Sequence, residues 1–499
     1  FKQKTAYEIR LSLVGSEMCI RDRNNLWRLS AAEIVKATTA GEIRSLDVIT
    51  SVIGRMRKVN PKLNAVVIDL SEQALKTAEY LDRERENGKA CGPLHGVPIT
   101  IKINVDQKGY PTSNGVLALK DLIAPDDAPI VKSLKKAGAI IIGRTNTPEF
   151  SFRADTDNEL HGRTNNPWGD HISAGGSSGG AGAAVMSGMG AMGHGNDIGG
   201  SLRFPAAANG AFTVKPGLGR IPAWNPSQNA ERGMLAQSMS VQGLLARDPN
   251  DLDLAMPTLF KNDPVDPFHV PLPYDMGSES QKCKIALARE TPGFETHPEI
   301  YKGLELAAEA LRDAGHEVVE VDPPYLLETA SAGYRALMGE VIELMGPDIR
   351  KFGSSEINRI FDEYFKQFKP YTGTDLLKIL AKRSYYAREW SIFLTKYPLI
   401  LSPFLPQPFF KPGRDLEGQE GVREVLGSAL WSYSINFLGL PAGCFPTHLA
   451  QLAQGIQTIN VQLIGQRWRE DLIVQGMKTI QNRLGTFSNE LWSIMEKNN

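Results

Sequence analysis

The chain has 499 residues, with 55 Lys and Arg against 56 Asp and Glu and a formal net charge of −1. Without clustered basic charge, nucleic acid is disfavoured as a partner, and no apolar stretch approaches the ~18–20 residues of a membrane-spanning helix. Cys19, Cys91, Cys283 and Cys444 are too scattered for a disulfide framework or a structural zinc site, so a soluble, metal-free protein of the reducing cytoplasm is expected. The length allows two or three domains, or one large α/β unit.

Residues 1–23 lack the basic start and long apolar run of a signal peptide. The string 13–23 resembles translated adaptor sequence, so the expectation is a native chain that starts near Asn24 and does not need 1–23 for folding or activity. Ser30-Ala-Ala-Glu33 is a capping box that opens a helix stopping near Gly41. A second helix starts at Ser45 and ends at Asn60-Pro61, and a third covers 71–87, closed by Gly88. The period then changes. Ile99, Ile101, Ile103 and Val105 alternate with Thr100, Lys102 and Asn104, which predicts a strand with one apolar and one polar face. A helix at 129–137 and a strand at 139–142 follow, then a strand at 284–288, a helix at 300–314 and a strand at 317–321. This alternation predicts an α/β sheet with covering helices. Residues 361–410 hold 13 of the 39 aromatics. Either a helical cap over a pocket or an internally packed helical layer accounts for them.

Glycine is concentrated in one stretch. Fourteen of the 47 glycines fall between 175 and 219, a density that signals tight turns and close backbone approach. Gly175-Gly176-Ser177-Ser178-Gly179-Gly180 is followed by Gly195-Asn196-Asp197-Ile198-Gly199-Gly200-Ser201-Leu202-Arg203. Each turn presents a serine on bare backbone, which is what acyl transfer needs: a hydroxyl beside unhindered N–H donors. Three other matches fail on context. Gly175 to Gly179 fits the GxSxG elbow but has no buried strand before it. Gly188 to Gly193 fits GxGxxG but follows a predicted helix and has no acidic partner downstream. Ser133 to Lys136 fits SxxK on a solvated helix face. Lys102 reads either as a lysine on the wet side of a strand or as part of a site whose floor includes Thr100 and Asn104.

Taken together, these segments resemble the amidase signature family across nearly all of 24–499. The resemblance rests on Gly96-Val-Pro-Ile-Thr-Ile-Lys102, Gly143-Arg-Thr-Asn146, the two serine–glycine blocks, Gly439-Leu-Pro441 and Val461-Gln-Leu-Ile-Gly-Gln466. It implies a single α/β domain with a mixed, twisted sheet covered by helices on both sides. It also implies an amidase acting on linear carboxylic amides through a Ser–cis-Ser–Lys triad, with no metal or cofactor. Ser201 would be the nucleophile, Ser177 the bridging serine and Lys102 the base. Backbone N–H groups of Ile198, Gly199, Gly200 and Ser201 would form the oxyanion hole, with Ser178, Asp197 and Arg203 in support. A lysine base working near neutrality needs its pKa lowered by roughly three units, which burial can supply.

The sequence departs from the family pattern at three places. Ile103 stands where an acidic residue often follows the lysine, Asn196 where Thr is frequent, and Ser173-Ala174 where Thr-Pro often precede the glycines. These differences bear on substrate preference more than on catalysis. The partner expected is a small-molecule amide, with an apolar or aromatic acyl group suggested by 361–410, and a homodimer is left open. Two alternatives stand beside this reading. One is the amidase-type subunit of a tRNA-dependent amidotransferase complex, whose members usually read Thr-Asp-Thr-Gly-Gly-Ser with Gln before the next proline; here Phe204 precedes Pro205. The other is a non-catalytic binding protein on the same scaffold.

Overall fold

Isoleucine-rich and valine-rich runs build most of the central sheet in the computed structural model, which describes residues 23–277 and 282–497. The expectation for the N-terminal extension therefore falls outside the described residues, apart from Arg23. The strands are β1 (Val66–Asp69), β2 (Pro98–Lys102), β3 (Ile140–Thr145), β4 (Met192–Asp197), β5 (Phe212–Lys215) and β6 (Val241–Ala246). They continue with β7 (Lys284–Leu287), β8 (Glu317–Glu320), β9 (Leu399–Pro403), β10 (Ala442–Leu452) and β11 (Gly455–Gly465). All lie in one sheet, in the order β1-β3-β2-β4-β6-β5-β10-β11-β9-β7-β8. The β3-β2-β4 and β9-β7-β8 groups are parallel, and the middle strands pair antiparallel.

Alternation along the strands sends side chains into two apolar layers, one on each face. Ile99, Ile101, Ile141 and Val461 join one layer. Ile140, Ile142 and Ile464 join the other. Helices cover both faces, as the α/β reading requires. Among the described residues, no helix is long and apolar enough to cross a membrane.

Two predicted boundaries shift. β2 ends at Lys102, where the Val105 N–H donates to the Lys102 carbonyl at 3.2 Å and turns the chain. Its polar face is not wet: every residue of β2 is buried, because parallel neighbours and crossover helices enclose it on both sides. The second helix runs Ser45–Leu63, through Pro61. In the last turn the missing proline N–H costs one bond only, and Asn64, at φ 49°, ends the helix by donating its N–H to the Asn60 carbonyl.

The aromatic segment 361–410 spans the end of the helix Ser355–Gln367, the helix Gly373–Lys396 and β9. Phe361, Tyr364, Trp390, Phe404, Phe409 and Phe410 are all buried in the layer under the sheet. The aromatics of this segment are therefore largely core packing.

Candidate active site

Lys102 closes β2 beside β4, at the carboxyl ends of two parallel strands, where α/β sheets place ligands. Its side chain is fully buried. The Nζ atom lies 2.7 Å from Ser177 Oγ and 2.8 Å from Asn196 Oδ1. Burial pushes the amine well below the ordinary lysine value, partly opposed by the charge of Asp197. This favours the neutral form a base requires.

Ser177 sits on the loop that precedes the helix Gly179–Met186. Gly175 has φ +75°, a left-handed conformation that glycine adopts without strain, and the Gly176–Ser177 peptide is cis. A Cβ at Gly176 would run into the Arg153 carbonyl. The loop is clamped on both sides. The Gly175 N–H donates to Ser173 Oγ at 2.9 Å, and Ser173 Oγ in turn donates to Asp155 Oδ1 at 2.5 Å. Thr156 Oγ1 donates to the Gly175 carbonyl at 2.7 Å. Ser173, one of the departures from the family pattern, thus holds the loop of Ser177.

The second loop is tied to the first: the Ser178 N–H donates to the Ser201 carbonyl at 3.2 Å. Behind it lies a buried ion pair. Arg203 donates to Asp197 through Nε at 3.2 Å and Nη2 at 3.1 Å, and Asn436 Nδ2 adds a bond at 2.9 Å. Burial pushes the Asp197 carboxyl up, but Arg203, Lys215 and Asn436 outweigh it and hold the group at about 2. Asp197 stays charged and organises the turn, accepting from the Gly200 N–H at 2.8 Å and the Leu202 N–H at 3.1 Å.

The cradle differs from the expectation at one amide. Gly200 spends its N–H on Asp197, because a buried carboxylate recruits the nearest donors. Ile198 and Ser201 line the main cavity, and Gly199 lines its inner extension.

That cavity has a volume of about 380 Å³ and is lined by Ser177, Ser201, Asn104 and Asn196 at its base. Phe150, Trp224 and Leu337 are among the apolar residues of its walls. A recess of about 40 Å³ continues past Ser201 toward Phe204, Tyr334 and Tyr433. No residue of 361–410 lines either space, so the aromatic wall comes from segments that composition did not single out. Ser178, Asp197 and Arg203 lie behind the cavity, all buried. Of the proposed floor residues, Asn104 lines the cavity, whereas the Thr100 hydroxyl is buried without a partner.

Sequence reasoning missed several contacts. Asn196 touches Lys102, whereas its departure from the family pattern pointed only to substrate preference. His194 accepts from the Lys102 backbone N–H at 3.4 Å through Nδ1 and pairs with Gln242 through Nε2 at 2.9 Å. Burial holds this imidazole at about 3, so it is neutral. Asn114, Phe150 and Ser151 line the cavity with φ of 51°, 55° and 58°. Non-glycine residues in this region carry strain that tends to gather at functional sites.

Comparison with known proteins gives a consistent set of relatives. The amidase family model matches residues 47–474. The chain is 43% identical over 472 residues to an indoleacetamide hydrolase of Bradyrhizobium diazoefficiens, covering 94% of this chain and 89% of that one. It is 30% identical over 464 residues to an acylamidase of Rhodococcus erythropolis, covering 90% and 94%. Among solved structures, 6-aminohexanoate cyclic dimer hydrolase complexed with substrate superposes with a TM-score of 0.80 at 26% identity, covering 94% and 100%.

Proposed function

The chain belongs to the amidase family, and we propose that it hydrolyses the primary amide of an arylacetic acid, with indole-3-acetamide as the leading substrate. It is an amidase-type hydrolase; the substrate class and the residue roles are the proposal. The similarity to an indoleacetamide hydrolase over most of both chains supports the substrate class. So does the cavity, whose volume falls within the ~300–1,000 Å³ of small-molecule sites and whose walls are largely apolar and aromatic.

The observation that carries the mechanism is the 2.7 Å contact between the buried Lys102 amine and Ser177 Oγ, at the base of the cavity that Ser201 also lines. Neutral Lys102 takes the Ser177 hydroxyl proton while Ser177 takes that of Ser201. Ser201 Oγ then attacks the amide carbon, and the C–O bond forms as the carbonyl electrons move onto oxygen. The backbone N–H groups of Ile198, Gly199 and Ser201 receive that oxyanion. On collapse the C–N bond breaks, and the proton returns from Lys102 through Ser177 to the leaving nitrogen as ammonia. Water deacylates Ser201 by the same route in reverse.

The test is ammonia release by S201A and the parent protein across a panel of amides, with intact-mass detection of acylated Ser201. Loss of turnover and of the adduct in S201A is expected; turnover equal to the parent overturns the residue roles. Equal kcat/KM for acetamide and indole-3-acetamide overturns the substrate class.

A further inference from the structure

The amide of Asn196 has its orientation fixed by a one-way chain of donors. Asn196 Nδ2 donates to Asn104 Oδ1 at 2.9 Å. Asn104 Nδ2 donates to Ser151 Oγ at 2.9 Å and lies 3.3 Å from Asn196 Oδ1. Ser151 Oγ donates to Asn114 Oδ1 at 2.6 Å. Turning the Asn196 amide over would set oxygen against the Asn104 oxygen and NH2 against the Lys102 amine. The network therefore presents Oδ1 to Lys102, at 2.8 Å.

An amide oxygen accepts and cannot donate. A neutral lysine amine has two N–H bonds and one lone pair. With one N–H drawn to Asn196 Oδ1, the lone pair is left to face the Ser177 hydroxyl. A threonine hydroxyl at 196 would be able to donate into that lone pair and compete with Ser177.

We infer that Asn196 is a positioning residue that sets the direction of the Lys102 amine, so that Lys102 is poised to take the Ser177 proton. This rests on the assignment of Lys102 as base. After transfer, the ammonium keeps its bond to Asn196 Oδ1, so the same contact also stabilises the charged form. The charged or titratable groups facing Lys102 are Asp197 and His194 on β4 and Arg144 on β3, whose Nη2 lies 3.5 Å from the Lys102 carbonyl.

The experiment is the pH profile of kcat and kcat/KM for N196A, N196D and K102M in the full chain, with the best amide from the panel. Removing the acceptor in N196A should lower kcat about tenfold with KM near the parent value, and should move the acid limb to lower pH. The carboxylate of N196D, next to the amine, should move the acid limb to higher pH by about one unit or more. A residue that merely fills space would not shift the limb in opposite directions. An acid limb unmoved in both variants, or a parent-like kcat in N196A, overturns the inference. N196D keeps the shape of asparagine and carries the test should N196A melt early. K102M separates the two claims. Turnover in K102M defeats the assignment of the base itself, whereas an inactive K102M beside silent Asn196 variants defeats only the role of Asn196.

Discussion

Lys215 is a second fully buried lysine, and the mechanism does not use it. Its amine donates to the Pro216 carbonyl at 2.7 Å. Burial and the charge of Arg203 bring it down to about 7, against the pull of Asp197 and Glu470. The unfolded chain titrates this group near 10.4. Between about pH 7 and 10 the unfolded state thus binds more protons, so stability rises with pH, by up to about 1.4 kcal/mol per unit. Below pH 7 the cost of a buried ammonium is fully present. Thermal melts from pH 7 to 9 should show Tm climbing in the parent protein and climbing less in K215M; an identical slope in both would remove Lys215 as the cause. Lys102 shares the sign of this effect, and its own titration sets the acid side of the activity profile. Turnover should fall as pH drops through a value well below that of an ordinary lysine, because only the neutral amine accepts a proton.

Two glycines on helices show how an element's surroundings decide what its sequence means. The helix Gly179–Met186 has every residue buried, with glycine or alanine at six consecutive positions. A Cβ at Gly180 would lie 2.5 Å from the Asn146 nitrogen and 2.7 Å from the Ala65 oxygen, both backbone atoms that cannot move aside. Such overpacking costs typically about 1–3 kcal/mol. G180A should lose stability of that order in urea unfolding and also lose turnover, since the helix carries Ser177 on its leading loop. Gly54, inside the helix Ser45–Leu63, has nothing within 4 Å of a Cβ. There the lost backbone entropy of glycine is the dominant effect, and G54A should gain about 0.5–1 kcal/mol. If the two changes came out with the same sign, the packing account of this helix would fail.

At the scale of the molecule, residues distant in sequence close over the far end of that same helix. Trp492, on the helix Ser488–Lys497, donates its indole N–H to the Met186 carbonyl at 2.7 Å. Its ring meets Trp27 edge-on with centroids 4.8 Å apart, and Arg28 pairs with Glu496. Truncating a buried tryptophan costs about 3–5 kcal/mol. W492A should therefore melt well below the parent while turnover at low temperature changes little, since the contact is with the end of the helix away from Ser177. Parent-like urea unfolding of W492A would show that this clasp contributes nothing.

Local features were legible because they depend on near neighbours. The capping box at Ser30, which the structure forms on both sides, and the strands of β3 and β7 follow from caps and period. The glycine turns around Ser177 and Ser201 follow from backbone freedom, and the family resemblance carried the functional reading from there. What the chain could not reveal by itself are contacts set by strand order. Lys102 and Ser177 are 75 positions apart, and Lys102 and Asn196 are 94; only the β3-β2-β4 arrangement brings them into reach. The same packing aims Asn196 at the lysine, spends the Gly200 amide on Asp197 and sends the aromatics of 361–410 into the core. Residue type states which bonds a side chain can make; the fold decides which partners lie near enough to make them.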